Sequence, residues 1–158
     1  MMQFKELYGW SGKYDIIVRD KKTGKMIRHD VIDNIITNGA LNEIIKCVYD
    51  SPPDIEWEYA AIGTDNTAVA VTQTTLGTEV FRTAFISKDY IGVGEAMGVA
   101  LIFDTDYAGA IEEIGIFCGS GASAVADSGL MLSRILWSHN KTATEEIQIT
   151  RIDKINRA

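Results

Sequence analysis

The chain has 158 residues, which is enough for one domain and short for two. Its 46% apolar content excludes an intrinsically disordered chain, and its net charge of −7 argues against a general nucleic-acid binder, because a phosphate backbone requires a positive surface. No stretch approaches the roughly 20 apolar residues of a membrane span, and residues 1–13 lack the apolar segment of a secretory signal. We therefore expect a protein made in a cytoplasm, with no membrane and no nucleic-acid partner.

The first predicted element is a β-hairpin. Apolar residues recur at every second position over residues 14–20 and 25–33, the period of a strand with one buried face. Gly24 lies in the intervening turn and can adopt a positive φ there. Within a single domain of residues 1–158, we place an N-terminal arm and this hairpin in residues 1–33. A helix and a β-sandwich core are expected in residues 34–158.

The next segment predicts one short amphipathic helix near residues 38–49. Thr37 and Asn38 offer N-cap oxygens before it. Residues 50–53 end it, because proline disfavours helical geometry in the residue that precedes it. We expect the helix to pack on a sheet through an apolar stripe with the spacing i, i+3, i+4, i+7, formed by Leu41, Ile44, Ile45 and Val48.

Strand patterns fill the rest of the chain, separated by a long ordered loop at residues 64–75 and a small-residue loop at residues 119–129. The alternation slips before Ile152, which indicates a bulge or the end of pairing. Many strands without strand–helix–strand repeats predict a mainly β fold, an antiparallel β-sandwich of jelly-roll type. The predicted strands after the helix cover residues 59–63, 80–90, 98–104, 110–117, 130–137 and 145–155.

Residues able to carry catalysis or bind a metal are isolated from one another. Glu112 and Glu113 are neighbours in a strand and therefore point to opposite faces, so they cannot share a proton or a metal ion. No phosphate-binding loop and no nucleophile turn is present. We predict that the protein is not an enzyme and has no catalytic, cofactor-binding or metal-binding residues. The side chains that a zinc site would have to collect come from four distant places: His29, Cys47, Cys118 and His139.

Aromatic residues are the candidates for binding. Trp57 and Tyr59 alternate with acidic residues, which suits a strand with one packed and one solvated face and would also suit a platform for stacking sugars. Tyr90 is a further member of such a platform. Tryptophan and tyrosine are also enriched at subunit interfaces, so both interpretations stay open. The candidate interface or ligand aromatics are Trp10, Trp57, Tyr59 and Tyr107.

Several stretches between residues 34 and 137 resemble, in the same order, the motifs of a group of bacteriophage tail and virion structural proteins. Residues 34–45 (NIITNGALNEII) resemble its N-x-I-T-N-x-G-L-N-x-I opening. Residues 61–82 contain AIGTDNTA and LGTEVFR, which resemble its IAIGTG-T-A and LGTE-x-R elements. EIGIF at residues 113–117 and GLMLSR at residues 129–134 resemble its EIGLF and G-x-LL-x-R elements. Asp65 stands where the group has glycine.

The resemblance implies a component of a virion, made in the cytoplasm of a bacterial host. We expect a tail, neck or fibre-associated structural protein that self-assembles as a trimer or another cyclic oligomer. Other phage tail, neck or capsid proteins are its further expected partners. The alternative is a receptor- or carbohydrate-binding module of a phage tail. Within the matched motifs, Arg82 paired with Glu79 or Glu113 would be a structural latch.

Overall fold

Eight antiparallel strands form a closed barrel in the computed structural model, which describes residues 8–157. The strand order around the barrel is β1-β2-β7-β6-β3-β4-β5-β8, and β8 returns to β1. Residues 1–7 of the predicted N-terminal arm lie outside the described residues. The elements are β1 (Tyr8–Asp20), β2 (Met26–Ile36), α1 (Asn38–Ile44), α2 (Lys46–Tyr49), β3 (Trp57–Gly63), β4 (Glu79–Gly92), β5 (Glu95–Ile102), β6 (Gly109–Cys118), β7 (Leu130–Lys141) and β8 (Glu145–Arg157).

The prediction of an antiparallel β-sandwich is wrong, because the sheet closes on itself. β1 pairs with β8 along its whole length, which joins the first strand to the last. The circle is completed where Ile35 and Ile36 of β2 pair with Arg134 and Ser133 of β7. A sandwich and a barrel both place alternate residues in the core, so periodicity alone cannot tell them apart.

β8 also corrects the expected irregularity before Ile152. Its register is continuous through that residue with both β1 and β5. The inward positions are Ile149, Arg151, Asp153 and Ile155, and the two central ones carry charge. The apolar pattern is therefore interrupted because two inward positions are charged, whereas the pairing of the backbone continues without a bulge.

The barrel interior is apolar over most of its length. Inward side chains from all eight strands bury their surface against one another, and each fully buried aliphatic side chain contributes about 1.5–3 kcal/mol to stability. Members of this core include Ile16, Val18, Ile36, Ala60, Ile62, Ala100, Ile102, Ile111, Ile114, Ile116, Ile135, Trp137, Ile147 and Ile149.

One polar cluster lies inside the barrel, centred on Arg151. Its guanidinium pairs with Asp153 and donates to Asn34 Oδ1 at 2.7 Å and to Ser133 Oγ at 3.0 Å. The Tyr14 hydroxyl lies 2.6 Å from Ser133 Oγ. Burial raises the pKa of Tyr14 to about 12, so the phenol stays neutral and bonded. The cluster links β1, β2, β7 and β8 across the interior.

The predicted helix is present as two short pieces, α1 and α2, that meet at Ile45. Thr37 caps α1: its hydroxyl accepts from the Ala40 backbone N–H at 3.2 Å and donates to the Met131 carbonyl at 2.6 Å. The cap therefore both starts the helix and ties it to the start of β7.

The helix does pack on the sheet, since α1 lies against β7 with Ala40 buried, but the predicted apolar stripe faces solvent and is not the contact face. Of the predicted stripe, only Ile44 turns towards the barrel. The inward faces of the strands bury one another, so the barrel core is complete without the stripe. We call the exposed set the helix stripe: Leu41, Ile45, Val48 and Tyr49, with Val48 exposed by 74%.

The two ends of the barrel differ in what they carry. The helix end bears α1 and α2, the turn between β4 and β5, and the loop at residues 119–129. The opposite end bears the turns at residues 21–25, 103–108 and 142–144. Within residues 8–157, no helix is long and apolar enough to cross a membrane.

Candidate functional site

Two loops cover the outer face of β3, β6 and β7. We call these two loops, together with the strand face beneath them, the outer layer. The loop at residues 64–78 is fixed by Glu113, whose carboxylate is fully buried. Arg134 Nε donates to Glu113 Oε2 at 2.6 Å. The same carboxylate accepts from the backbone N–H groups of Gly77 at 3.0 Å, Thr78 at 2.9 Å and Asp65 at 3.3 Å. One buried acceptor thus holds both ends of the loop.

Arg134 also holds the first turn of the same loop. Its guanidinium donates to the Thr67 carbonyl at 2.8 Å and to the Asp65 carbonyl at 3.2 Å. The Asp65 carboxylate accepts from the Thr67 backbone N–H at 2.6 Å, and hydrogen bonds from Thr67 lower the pKa of that carboxyl. Aspartate at this position, where the phage group has glycine, therefore closes a local turn.

The second loop, residues 119–129, is fixed by Arg82. Its guanidinium makes a two-pronged pair with Glu79, at 2.5 and 2.8 Å, and both side chains are buried. It also donates to the carbonyls of Ser123 at 2.9 Å and Ser128 at 3.1 Å. Its plane lies 4.5 Å from the centre of the Phe117 ring. A paired and stacked arginine of this kind is a structural anchor.

A small apolar core completes the outer layer. Leu76 from the first loop packs on Ala61, Phe117 and Met131 of the underlying strands. Gly115 lets it approach, since a Cβ there would lie 2.8 Å from Leu76 Cδ2. The outer layer therefore has an apolar base with two buried ion pairs above it.

The predicted latch residues all lie in the outer layer, in two separate ion pairs. Arg82 contacts Glu79, one of its two predicted partners, while Glu113 contacts Arg134. Sequence reasoning gave Arg134 no role, although it ends the G-x-LL-x-R resemblance. The cross-strand register, which sets Arg134 opposite Gly115, brings it to Glu113. Four of the five stretches that resemble the phage group meet here.

A cavity of about 330 Å³ opens at the helix end, and we call it the mouth. Its walls come from five segments of the chain and are mostly aromatic or aliphatic. A shallower groove of about 300 Å³ adjoins it and shares Ile55, Trp57, Tyr90 and Ala96. The mouth is lined by Trp10, Ile44, Ile55, Trp57, Tyr90, Gly94, Glu95, Ala96, Asp153 and Ile155.

The two carboxylates that line the mouth are each paired with a cation of the same chain. Glu95 forms an ion pair with Lys154, and Asp153 forms one with Arg151. At the adjoining groove, Lys88 donates to Glu56 Oε1 at 2.5 Å. The mouth therefore offers apolar surface and balanced charge.

The predicted aromatic residues divide between three places. Trp10 and Trp57 share the mouth, and Tyr90 joins them with 77% of its surface exposed. Tyr59 lies in the outer layer, 5.5 Å from the Arg82 guanidinium. Tyr107 is at the opposite end, where its hydroxyl donates to the Ala110 carbonyl at 2.9 Å. The mouth is therefore the one place where aromatic candidates come together.

Neither the two histidines nor the two cysteines line the mouth. His29 Nε2 lies 2.9 Å from Asp15, and His139 Nε2 lies 3.0 Å from Glu145. Cys118 is buried, and burial raises the pKa of its thiol. Across residues 8–157, no three His, Cys, Asp or Glu side chains gather in a group that could hold a metal ion.

No protein-family model, curated protein or solved structure matches this chain. The resemblance to phage tail and virion structural proteins therefore stays a prediction that rests on the motif residues.

Proposed function

We propose that this chain is a structural protein of a bacteriophage virion, in the tail, neck or a fibre, which self-assembles and contacts other virion proteins. The observation that carries the proposal is the helix stripe. Large apolar side chains exposed together are typical of a surface that another protein covers. Val48 and Tyr49 lie on the stripe with 74% and 69% of their surface exposed.

The outer layer supports the same proposal from a different direction. Its four buried charged groups, in the pairs of Arg82 with Glu79 and Arg134 with Glu113, bind one another and loop backbone. Arg134 borders a groove of about 240 Å³, but its guanidinium is bound to Glu113 and to the carbonyls of the first loop. The role of the two pairs is to hold two loops in fixed positions, as a protein that fits into an ordered particle requires. The proposed function is accordingly not enzymatic.

Light scattering coupled to size-exclusion chromatography tests the proposal. At micromolar concentration we expect the mass of a small cyclic oligomer, such as a trimer. Val48→Asp places a charge on the helix stripe and should lower that mass, whereas Val31→Asp is a matched control on the outer face of β2, with Val31 exposed by 55%. A wild-type monomer at every concentration and salt strength would refute self-assembly.

The second candidate function is recognition of a receptor or carbohydrate at the mouth. The observation that favours it is the convergence of Trp10, Trp57 and Tyr90 beside the Asp153 carboxylate, since sugars stack on aromatic faces and bond to carboxylates. Tyr90→Ala is the cleaner variant, because Trp57 also packs on Phe85, with ring centres 5.8 Å apart. A glycan array should then show binding that Tyr90→Ala abolishes. Unchanged binding would remove the mouth as the receptor site.

A further inference from the structure

The turn between β4 and β5 is an apolar projection beside the mouth. Its residues from Tyr90 to Gly94 carry no charge, and Val93 at its apex is 92% exposed. Ile91 is exposed as well. We call Ile91 and Val93 the tip. With Tyr90, the tip places three large, exposed side chains within four residues, as in a surface that another protein covers.

The tip is held rigidly in this exposed position. Gly94 has a φ of +70°, and its carbonyl accepts from the Ile155 backbone N–H at 2.9 Å. Its close approach to Ile155 leaves no space for a Cβ, so the turn is clamped against β8. Gly94 also lines the mouth, which places the tip at the rim of its own cavity but outside it. A rigid projection loses little entropy on binding.

The mouth has the chemistry that such a projection requires. Its aromatic and aliphatic walls suit an apolar group, and its two carboxylates, Glu95 and Asp153, already have cationic partners. A free cation or anion would therefore find no unbalanced charge to bind. The tip is uncharged and apolar, and the aromatic and aliphatic walls of the mouth are apolar too. At the centre of many protein interfaces, an apolar side chain fills an apolar pocket in the same way.

We propose that the mouth of one copy receives the tip of a second copy, with Val93 entering the cavity beside Tyr90. This inference rests on the proposed self-assembly and adds a second contact to the one proposed at the helix stripe. The tip and the mouth are different patches of one chain, so each contact leaves a free tip on one copy and a free mouth on the other. Closure into a ring satisfies both.

Substitution at the apex tests the contact by light scattering. Val93→Asp should weaken assembly by about 30-fold or more, the loss typical of a central side chain at an interface. The matched control Val31→Asp should keep the wild-type mass. If Val93→Asp assembles like the wild type, or if Val31→Asp fails equally, the inference is overturned while the proposed function stands. If the wild type is itself a monomer, self-assembly fails first.

Cross-linking gives a second measurement that does not depend on a weakened variant. In a Cys47→Ser background, one tagged copy carries Val93→Cys and a differently tagged copy carries Ile44→Cys in the wall of the mouth. When the two copies are mixed and oxidised, a disulfide between Cys at position 93 and Cys at position 44 should link the differently tagged chains. A copy that carries Val31→Cys in place of Val93→Cys should form no such link. An intact oligomer without the mixed disulfide would overturn the inference, as would a glycan that binds the mouth of the assembled protein.

Discussion

Glu113→Ala removes the acceptor that fixes the outer layer. In the wild type, the buried carboxylate binds Arg134 and three backbone N–H groups of the loop at residues 64–78. Alanine leaves the Arg134 guanidinium buried with loop carbonyls but without a counter-ion. We expect the loop to lift so that water can reach the charge and the freed amides.

The magnitude follows from the burial of the pair. Removing one partner of a buried ion pair costs about 3–5 kcal/mol, because the remaining charge stays desolvated. Amides left without an acceptor would each cost about 1–3 kcal/mol, which is why hydration by loop opening is the expected response. A domain of this size is stable by about 5–15 kcal/mol, so Glu113→Ala should fold with much of its stability lost.

Urea unfolding followed by tryptophan fluorescence measures the loss, and hydrogen exchange over residues 64–78 reports the loop. Glu112→Ala is the matched control, since the Glu112 carboxylate is only part-buried and accepts from Ser138 Oγ at 3.2 Å. It should stay within about 0.5 kcal/mol of the wild type. Equal effects of the two substitutions, or a loss below about 1 kcal/mol for Glu113→Ala, would refute the assignment of Glu113 as the anchor.

Three further predictions concern other parts of the molecule. Arg82→Met should release the loop at residues 119–129 and speed its cleavage in limited proteolysis; an unchanged cleavage rate would contradict its role as an anchor. Exposed Cys47 should react with a thiol reagent in the native protein and buried Cys118 only after unfolding, so two fast thiols would contradict the fold. Hydrogen bonds from Ser120 lower the pKa of Asp54 in the folded state, so the ionised carboxylate stabilises the fold. This stabilisation is present when the pH is above the ordinary pKa of a carboxyl group, and it is lost as the pH falls through the lowered pKa of the folded state. The urea midpoint of Asp54→Asn should therefore fall less on acidification than that of the wild type, and parallel curves would exclude this contribution.

Local patterns predicted the strands and turns well, because each depends on neighbours in the chain. The hairpin of β1 and β2 follows from alternation around Gly24, which has a φ of +70°. The start of α1 follows from the Thr37 cap. Barrel closure depends instead on the pairing of β1 with β8, at opposite ends of the sequence. The alternation of apolar and polar residues within a strand does not indicate which other strand it will pair with.

The sequence predicted those contacts of the candidate site that join residues close together in the chain. Arg82 and Glu79 are three residues apart, so their pairing was open to sequence reasoning. The partner of Glu113 was not, since Arg134 reaches it through strand register. Likewise, Trp10 and Trp57 meet at the mouth because β1 and β3 begin on the same side of the barrel.

The helix stripe shows why an amphipathic pattern is an incomplete prediction. Its spacing establishes that one face of the helix is apolar, but it does not identify what covers that face. A sandwich could have used the stripe to close an open edge of its core, whereas a barrel has no such edge. The core is complete without the helix stripe, and Val48 is left 74% exposed. The helix stripe and the tip both lie at the helix end, where one partner surface can cover them together.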